Sequence, residues 1–259
     1  MKFIPLFSGS SGNSQLLEAG EIKLLIDSGV SCSALTDALK HLNINPAELN
    51  GILISHNHID HTRSAGTLSR KYNLPVYANK GTWDAMQADI GEIAFRNIRL
   101  FRTNQDFYIG DINITPFRTP HDAAEPVGFR FVYKGKKVVS MTDIGCVHED
   151  MMNQAEGADL VYIEANHDVE MLQNGHYPYT LKKRILSDFG HLSNENCGIT
   201  LAKLYESGVR NAILGHLSHD NNTPLKALET VTAVLHSYGI DDMNITVAER
   251  NKITGIFEI

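Results

Sequence analysis

The chain has 259 residues, and 42% of them are hydrophobic, which is enough for a substantial core and excludes an intrinsically disordered protein. Its formal net charge of −7 excludes a protein that coats nucleic acid through overall positive charge, so any nucleic acid contact requires a local patch. Three scattered cysteines without a C-x-x-C pair are typical of a reducing compartment. No segment resembles a signal peptide or a membrane span, so we expect a cytoplasmic protein without membrane contact.

The first part of the chain contains a loop of small residues between predicted strands. The expected elements are strands over residues 2–7, 15–18 and 22–26 and a helix over residues 33–42. Residues 8–14 are all glycine, serine or asparagine. Backbone N–H groups of such a loop can converge on an anion, which makes Ser10 and Asn13 candidate phosphate contacts. A tight hairpin explains the same composition equally well.

A cluster of potential metal ligands follows the next predicted strand. Residues 52–54 are apolar and indicate a buried strand, and His56, His58, Asp60 and His61 come directly after it. In an extended segment His56 and His58 project to the same side, because side chains alternate along a strand. If the chain then turns, Asp60 and His61 can serve a second cation. Imidazole and carboxylate ligands suit zinc, manganese or iron.

The middle of the chain is dominated by strands, and two of them end in further candidate ligands. The expected elements are helices over 64–71 and 81–89 and strands over 74–77, 98–102, 111–117, 127–133 and 137–141. His121 follows the strand 111–117, and Asp143 follows the strand 137–141. Each of these residues therefore lies just beyond the carboxyl end of a strand.

The last part alternates strands and helices, and it supplies one more histidine at a strand end. The expected elements are strands over 160–164, 211–214, 244–249 and 252–258 and helices over 180–189, 194–207 and 224–238. His216 follows the strand 211–214, so His58, His121, Asp143 and His216 can meet at one rim. Both halves contain strands followed by helices, which predicts an α/β protein with two packed sheets and outer helices. We expect one domain over residues 1–259.

The order of these ligands resembles that of the metallo-β-lactamase-fold hydrolases. An H-x-H-x-D-H block is followed by a histidine, an aspartate and a late histidine, so the resemblance covers essentially the whole chain. It implies a four-layer αββα sandwich. The strings at 8–13, 121–129, 190–194 and 216–224 are similar to those of the YycJ/WalJ-like exonuclease branch. This closer resemblance implies a phosphodiesterase with two divalent metal ions per chain that digests DNA from 5′ to 3′.

The resemblance also implies a division of the ligands between two ions. The first ion is assigned His56, His58 and His121, the second Asp60, His61 and His216, and Asp143 is the bridge. The ions are zinc or manganese. A hydroxide that bridges them is the expected nucleophile, and Asp60 is expected to orient it.

Several other residues are candidates for contact with the substrate. His191, between Gly190 and the helix at 194–207, can bind the scissile phosphate or protonate the leaving oxygen, and Ser193 lies beside it. A solvent-exposed capping loop is the alternative for this segment. The basic residues Lys182, Lys183 and Arg184 follow two tyrosines and can contact a nucleic acid backbone, although a solvated helix face explains them as well. His167 either supports the site or only lies near a strand end.

Other functions remain open from the sequence. A ribonuclease or a cyclic phosphodiesterase for small molecules can use the same ligands, and a thioester or lactone hydrolase is a further alternative. A redox di-iron protein without hydrolytic turnover is disfavoured, because that branch usually has a carboxylate where this chain has His58. The choice between zinc and manganese, the choice between DNA and RNA, and the oligomeric state are also open.

Overall fold

Two seven-stranded sheets form the centre of the protein in a computed structural model that describes residues 1–259. The strands of the first sheet are β1 (Lys2–Phe7), β2 (Ser14–Ala19), β3 (Ile22–Ile26), β4 (Gly51–Leu53), β5 (Val76–Ala78), β6 (Ile98–Leu100) and β14 (Phe257–Glu258). Those of the second are β7 (Phe107–Ile109), β8 (Ile112–Arg118), β9 (Val127–Tyr133), β10 (Lys136–Met141), β11 (Leu160–Glu164), β12 (Asn211–Gly215) and β13 (Asn244–Val247). The spatial orders are β14-β1-β2-β3-β4-β5-β6 and β13-β12-β11-β10-β9-β8-β7.

Nine helices accompany the two sheets. They are α1 (Cys32–His41), α2 (Ile59–Thr62), α3 (Ala65–Tyr72), α4 (Lys80–Ile90), α5 (Glu149–Ala155), α6 (Val169–Asn174), α7 (Tyr179–Ile185), α8 (Asn194–Glu206) and α9 (Pro224–Ser237). Ser31 caps α1 by accepting a hydrogen bond from the backbone N–H of Ala34. Thr223 caps α9, and Pro224 occupies the first turn of that helix, where it needs no N–H partner. No helix is both long and apolar enough to span a membrane.

Three hydrophobic clusters hold the layers together. The middle cluster contains Phe3 and Leu24 from the first sheet and Phe129, Phe131 and Tyr162 from the second, so the two sheets pack face to face. A second cluster joins α5, α8 and α9 to the second sheet, and a third joins α1, α3 and α4 to the first. The predicted four-layer αββα sandwich is therefore confirmed.

The parallel parts of the sheets end at a common rim. Strands β3 to β6 run parallel in one sheet, and strands β10 to β13 run parallel in the other. At this rim the N–H of Val127 donates to the carbonyl of Ser55 at 3.0 Å, which ties the start of β9 to the segment after β4. Side chains that follow strands of either sheet are thus brought together at one edge of the sandwich.

Several sequence-based boundaries were wrong, mostly for short elements. The strand β7 and the helices α5 and α6 were not predicted, because three to seven residues contain too little periodicity to be recognised. The predicted strand 252–258 shrinks to Phe257–Glu258. Helix α7 ends at Ile185 rather than at residue 189, and the N–H of His191 then donates to the carbonyl of Ile185 at 3.0 Å. This turn returns His191 toward the rim.

Candidate metal centre

As predicted, the histidine-rich segment that follows β4 is extended at first and then turns. His56 lies in the extended stretch after β4, and His58 has extended backbone angles at the start of the one-turn helix α2, which carries Asp60 and His61. Two backbone hydrogen bonds of 2.8 Å fix the turn: Asn13 N–H donates to Asp60 O, and Ser28 N–H donates to His61 O.

A glycine makes the close approach of the neighbouring loop to this turn possible. A Cβ atom on Gly29 would lie 1.5 Å from the carbonyl oxygen of Asp60, which is far inside van der Waals contact. Gly29 also donates its N–H to the carbonyl of Asn13 at 2.9 Å. The loop after β3 therefore supports the turn that carries Asp60 and His61, and only a residue without a side chain fits there.

The candidate ligands form four overlapping groups, and in each group the possible ligand atoms lie within 4.8 Å of one another. Two groups have the members assigned from the sequence: His56, His58 and His121, and Asp60, His61 and His216. The other two are His56, His61 and Asp143, and Asp143, Glu164, His191 and His216.

Asp143 lies between the two groups assigned from the sequence. One of its carboxylate oxygens, Oδ2, is 3.2 Å from His61 Nε2, and the other, Oδ1, is 3.4 Å from His216 Nε2 and 3.7 Å from His121 Nε2. His61 and His216 belong to the second group, whereas His121 belongs to the first. The carboxylate is thus within reach of both groups, as a bridging position requires.

The buried atoms at this centre fit a divalent cation. His56 Nε2, His216 Nε2 and Asp143 Oδ2 are buried and have no hydrogen-bond partner within the chain. Buried polar atoms are nearly always satisfied, because leaving one without a partner costs free energy. Imidazole nitrogen and carboxylate oxygen are the donors that zinc and manganese accept. The donor set therefore suits such an ion, with one carboxylate shared.

Charge and burial give His56 and Asp143 the protonation states that ligands need, whereas the neighbouring carboxylates, Asp143 above all, raise the pKa of His61 and His216 despite their burial. Burial and the charge of His61 hold the pKa of His56 well below its usual value, which keeps its imidazole neutral. Burial would raise the pKa of Asp143, but the charges of His216 and His61 lower it well below the usual range. The Asp143 carboxylate is therefore ionised.

A buried carboxylate at the end of β3 orients His61. Asp27 Oδ2 accepts from His61 Nδ1 at 2.7 Å and from the Ser55 hydroxyl at 2.8 Å, and Asp27 Oδ1 accepts from Ser55 N–H at 2.8 Å. With its Nδ1 engaged, His61 presents Nε2 to the centre, as in many metal sites. The sequence analysis did not identify Asp27, although its place directly after a buried strand is the same signal that marked His121 and Asp143.

Glu164, at the end of β11, is a second functional carboxylate that the sequence analysis missed. Its Oε1 accepts hydrogen bonds from His191 Nδ1 at 2.7 Å and from His216 Nδ1 at 2.8 Å. Its Oε2 accepts from the N–H groups of Ile144 and Leu192 at 2.8 and 3.3 Å. Burial would raise the pKa of Glu164, but the charges and hydrogen bonds of the two histidines lower it to about 2. Both oxygens are thus occupied by protein donors, which makes Glu164 a support for ligands rather than a ligand.

The structure brings His191 to the centre, as the sequence predicted. Its ring stacks on that of His216 with 5.3 Å between centroids, and it lies 5.1 Å from the ring of His121. Burial would lower the pKa of His191, but the adjacent Glu164 carboxylate raises it above its usual value. Because Nδ1 is bound to Glu164, the other ring nitrogen, Nε2, remains for a ligand. The side chain is 20% exposed, so a substrate can reach it.

The predicted substrate contacts are spread over different environments. Ser10 is exposed and lines a cleft that also contains His191. Asn13 is buried: its Oδ1 accepts from Gly9 N–H at 2.9 Å, and its Nδ2 lies 3.1 Å from His61 Nε2. Ser193 is also buried, and its hydroxyl oxygen caps α8. For Asn13 and Ser193 these bonds establish a structural role, and substrate contact stays a prediction.

The basic residues of α7 do not form one free surface. Lys182 Nζ donates to the carbonyls of Gln173 and Gly175 at 2.8 and 2.6 Å, so its charge is held by the end of α6. Arg184 pairs through Nε with Asp122, and Lys183 is exposed. Of these three residues, only Arg184 lines the cleft beside His191.

His167 belongs to none of the four ligand groups. It is buried, neither ring nitrogen has a partner within the chain, and burial lowers its pKa to about 4.

Comparison with known proteins finds relatives over nearly the whole chain. The sequence profile of the β-lactamase superfamily domain matches residues 23–217. The exodeoxyribonuclease YycJ of Bacillus anthracis is 40% identical over 239 residues, which cover 92% of this chain and 90% of the relative. The exodeoxyribonuclease WalJ of Streptococcus pneumoniae is 42% identical over 235 residues, which cover 90% of this chain and 87% of the relative.

Solved structures share the fold at low sequence identity. The metallo-β-lactamase fold protein YhfI from Bacillus subtilis aligns with a TM-score of 0.76 at 19% identity, and 99% of each chain is covered. Zn(2+)-bound PqqB from Methylobacterium extorquens aligns with a TM-score of 0.75 at 16% identity, and 100% of each chain is covered. At these identities the likeness establishes the architecture alone.

The hydrogen bonds of Glu164 generate a first prediction. The change Glu164→Gln removes the charge that holds His191 and His216, and it replaces one acceptor oxygen by a donor. We expect metal affinity to fall by roughly 10–100-fold, the usual effect of losing a carboxylate behind a histidine ligand. The measurement is competition with a chromogenic chelator, and the exposed Glu229→Gln serves as the matched control. Unchanged affinity in a folded Glu164→Gln protein would contradict this support role.

Proposed function

Because the chain belongs to the β-lactamase superfamily and is a metal-dependent hydrolase, we propose that it is a DNA phosphodiesterase that digests strands from the 5′ end. The observation that carries this proposal is the position of Asp143 between two groups of candidate ligands. Such a centre is typical of enzymes that act on phosphate esters with a pair of ions. The exodeoxyribonuclease names of relatives at 40% and 42% identity support DNA as the substrate.

In this proposal each group of ligands would hold one divalent cation, zinc or manganese, and Asp143 would serve both. When bound, such a pair of cations supplies a nucleophilic water at neutral pH and neutralises negative charge on a phosphodiester. Asp60 orients that water: its Oδ2 lies 3.6 Å from both His61 Nε2 and His216 Nε2, and its side chain is 22% exposed. Five of the other six ligand residues are buried, so Asp60 is well placed between the centre and the solvent.

His191 acts on the phosphate or on the leaving oxygen. Glu164 holds Nδ1, so the imidazole cannot turn away, and Nε2 is the atom that donates a proton or a hydrogen bond. Glu164 also accepts a hydrogen bond from His216, one of the proposed ligands. One carboxylate therefore positions both the proposed acid and a residue that would hold a cation.

Digestion of end-labelled substrates tests the proposal. We expect 5′-labelled DNA to release labelled mononucleotides at early times in the presence of manganese or zinc, because digestion begins at the labelled end. Single- and double-stranded DNA and RNA of the same sequence are compared, with a thioester substrate beside them. Faster cleavage of RNA than of DNA would identify the protein as a ribonuclease that uses the same site. Hydrolysis of the thioester without cleavage of DNA would contradict the proposed phosphodiesterase activity.

The ligand groups imply two ions per chain. Elemental analysis of reconstituted protein should approach two ions, and Asp143→Ala should lower the content sharply because both groups lose a ligand. The exposed Asp89→Ala serves as the matched control and should retain the wild-type content. Full activity with a single tightly bound ion would contradict the two-ion centre.

The role of His191 can be separated from metal binding. His191→Ala should lower kcat on DNA by roughly 10²–10⁴-fold, the usual contribution of general acid–base catalysis, while metal content stays unchanged. Bis(p-nitrophenyl) phosphate has a good leaving group that needs little protonation, so its hydrolysis should fall less. Equal losses on both substrates would assign His191 to phosphate binding, and no loss on either would reject both roles. The exposed His236→Ala is the control.

A further inference from the structure

A small polar cleft of about 160 Å³ opens beside His191, and we propose that it binds the 5′-terminal phosphate monoester of the strand being digested. Its lining includes His191, Ser10, Tyr177, Arg184 and Ser218, and it contains a guanidinium and three hydroxyl groups but no carboxylate. This is the chemistry that recognises a phosphate group. The inference rests on the proposed function, because it concerns how such an enzyme recognises a strand end.

Arg184 is the cation of the cleft, and its orientation is already fixed. Its Nε pairs with Asp122, in the loop after β8, while its side chain remains 54% exposed. A guanidinium has five N–H donors, so the Nε contact leaves the terminal nitrogens for an anion. A fixed, planar guanidinium loses little conformational freedom when it binds phosphate oxygens. Asp122 is therefore a positioning residue for Arg184, although its charge also limits the attraction for anions.

The serine hydroxyls supply donors on the other side of the cleft. Ser10 is exposed and lines the cleft. The Ser218 oxygen accepts from Asn221 N–H at 3.2 Å, which leaves its own proton for a ligand. Arg250 donates to the carbonyl of Ser218 at 3.1 Å and adds positive charge behind this loop.

Three carboxylates lie close to the cleft, and each is engaged by a wall residue. Asp122 pairs with Arg184, and Glu164 accepts a hydrogen bond from His191 Nδ1 at 2.7 Å. Asp220 accepts a hydrogen bond from the Tyr177 hydroxyl at 2.8 Å. Each carboxylate therefore has a donor of its own, and Arg184 is the one permanently charged side chain among the lining residues.

The place of the cleft favours a terminal phosphate over an internal one. The cleft has a volume of about 160 Å³ and lies directly beside the metal centre. His191 belongs to both the cleft and the metal centre, since its Nδ1 is 3.9 Å from Asp143 Oδ1. A strand end in the cleft therefore places the next phosphodiester near the ligand groups, so a filled cleft restricts cleavage to the first linkage.

Substrates that differ only in the chemical group at the strand end test whether the cleft binds a 5′-phosphate. Oligonucleotides of one sequence that carry a 5′-phosphate, a 5′-hydroxyl or a 3′-phosphate are digested under single-turnover and steady-state conditions. We expect kcat/KM to be roughly 10–100-fold higher for the 5′-phosphate than for the 5′-hydroxyl, the range expected for hydrogen bonds to a charged group. Arg184→Ala should reduce this ratio toward one, mainly through KM on the phosphorylated strand. Arg184→Lys should restore part of it, and the exposed Arg96→Ala should leave it unchanged.

A second measurement does not depend on the stability of the variants. Thymidine 5′-monophosphate should compete with DNA on the wild-type protein, whereas thymidine should not. Equal rates on 5′-phosphate and 5′-hydroxyl ends, or equal inhibition by the nucleotide and the nucleoside, would overturn the cleft assignment and leave the nuclease proposal intact. A 5′-phosphate preference that survives in Arg184→Ala would also overturn it. Failure to digest DNA with any end would instead reject the proposed function.

Discussion

One buried carboxylate, that of Glu164, sets the relative positions of the segments that meet at the rim. Removing a charge from water costs several kcal/mol, and this cost is offset only where donors surround the ion. Here the donors are two imidazoles and two backbone N–H groups. The N–H groups belong to the residues next to Asp143 and His191, so a single side chain connects the ends of β10, β11 and β12 with the loop before α8.

Backbone strain is concentrated where the strands deliver their functional side chains. Asp27, Asp143 and His216 have φ values of 60°, 56° and 55°, a left-handed region that non-glycine residues occupy at a cost of about 1–3 kcal/mol. Each of them follows a strand, and the sharp turn directs its side chain into the rim instead of along the strand. His216 is held there by its N–H, which donates to the buried Ser8 hydroxyl at 2.8 Å. The unfavourable backbone angles therefore lower the free energy of unfolding, and they direct the three side chains into the rim.

The sequence identifies the candidate ligands more readily than the residues that position them. His56 and His121 are identifiable because imidazoles after apolar strands have few structural uses, and their order along the chain is distinctive. Glu164 and Asp27 are ordinary carboxylates in sequence, and their function depends on partners 27 and 34 residues away. The sequence pattern at Lys182 misleads for the same reason: it suggests a free basic side chain. In the structure the ammonium group donates to a carbonyl at the end of another helix. Long-range hydrogen bonds such as these have no local pattern.

The two sheets are joined at the rim by hydrogen bonds, such as that from Val127 N–H to the Ser55 carbonyl and that from His216 N–H to the Ser8 hydroxyl. His56 follows a strand of one sheet, whereas His121 and His216 follow strands of the other. An ion held between them would act as a removable cross-link across the sandwich, and its binding would add RT ln(1 + [L]/Kd) to the free energy of unfolding. The stability of the folded chain would therefore rise with the concentration of free metal.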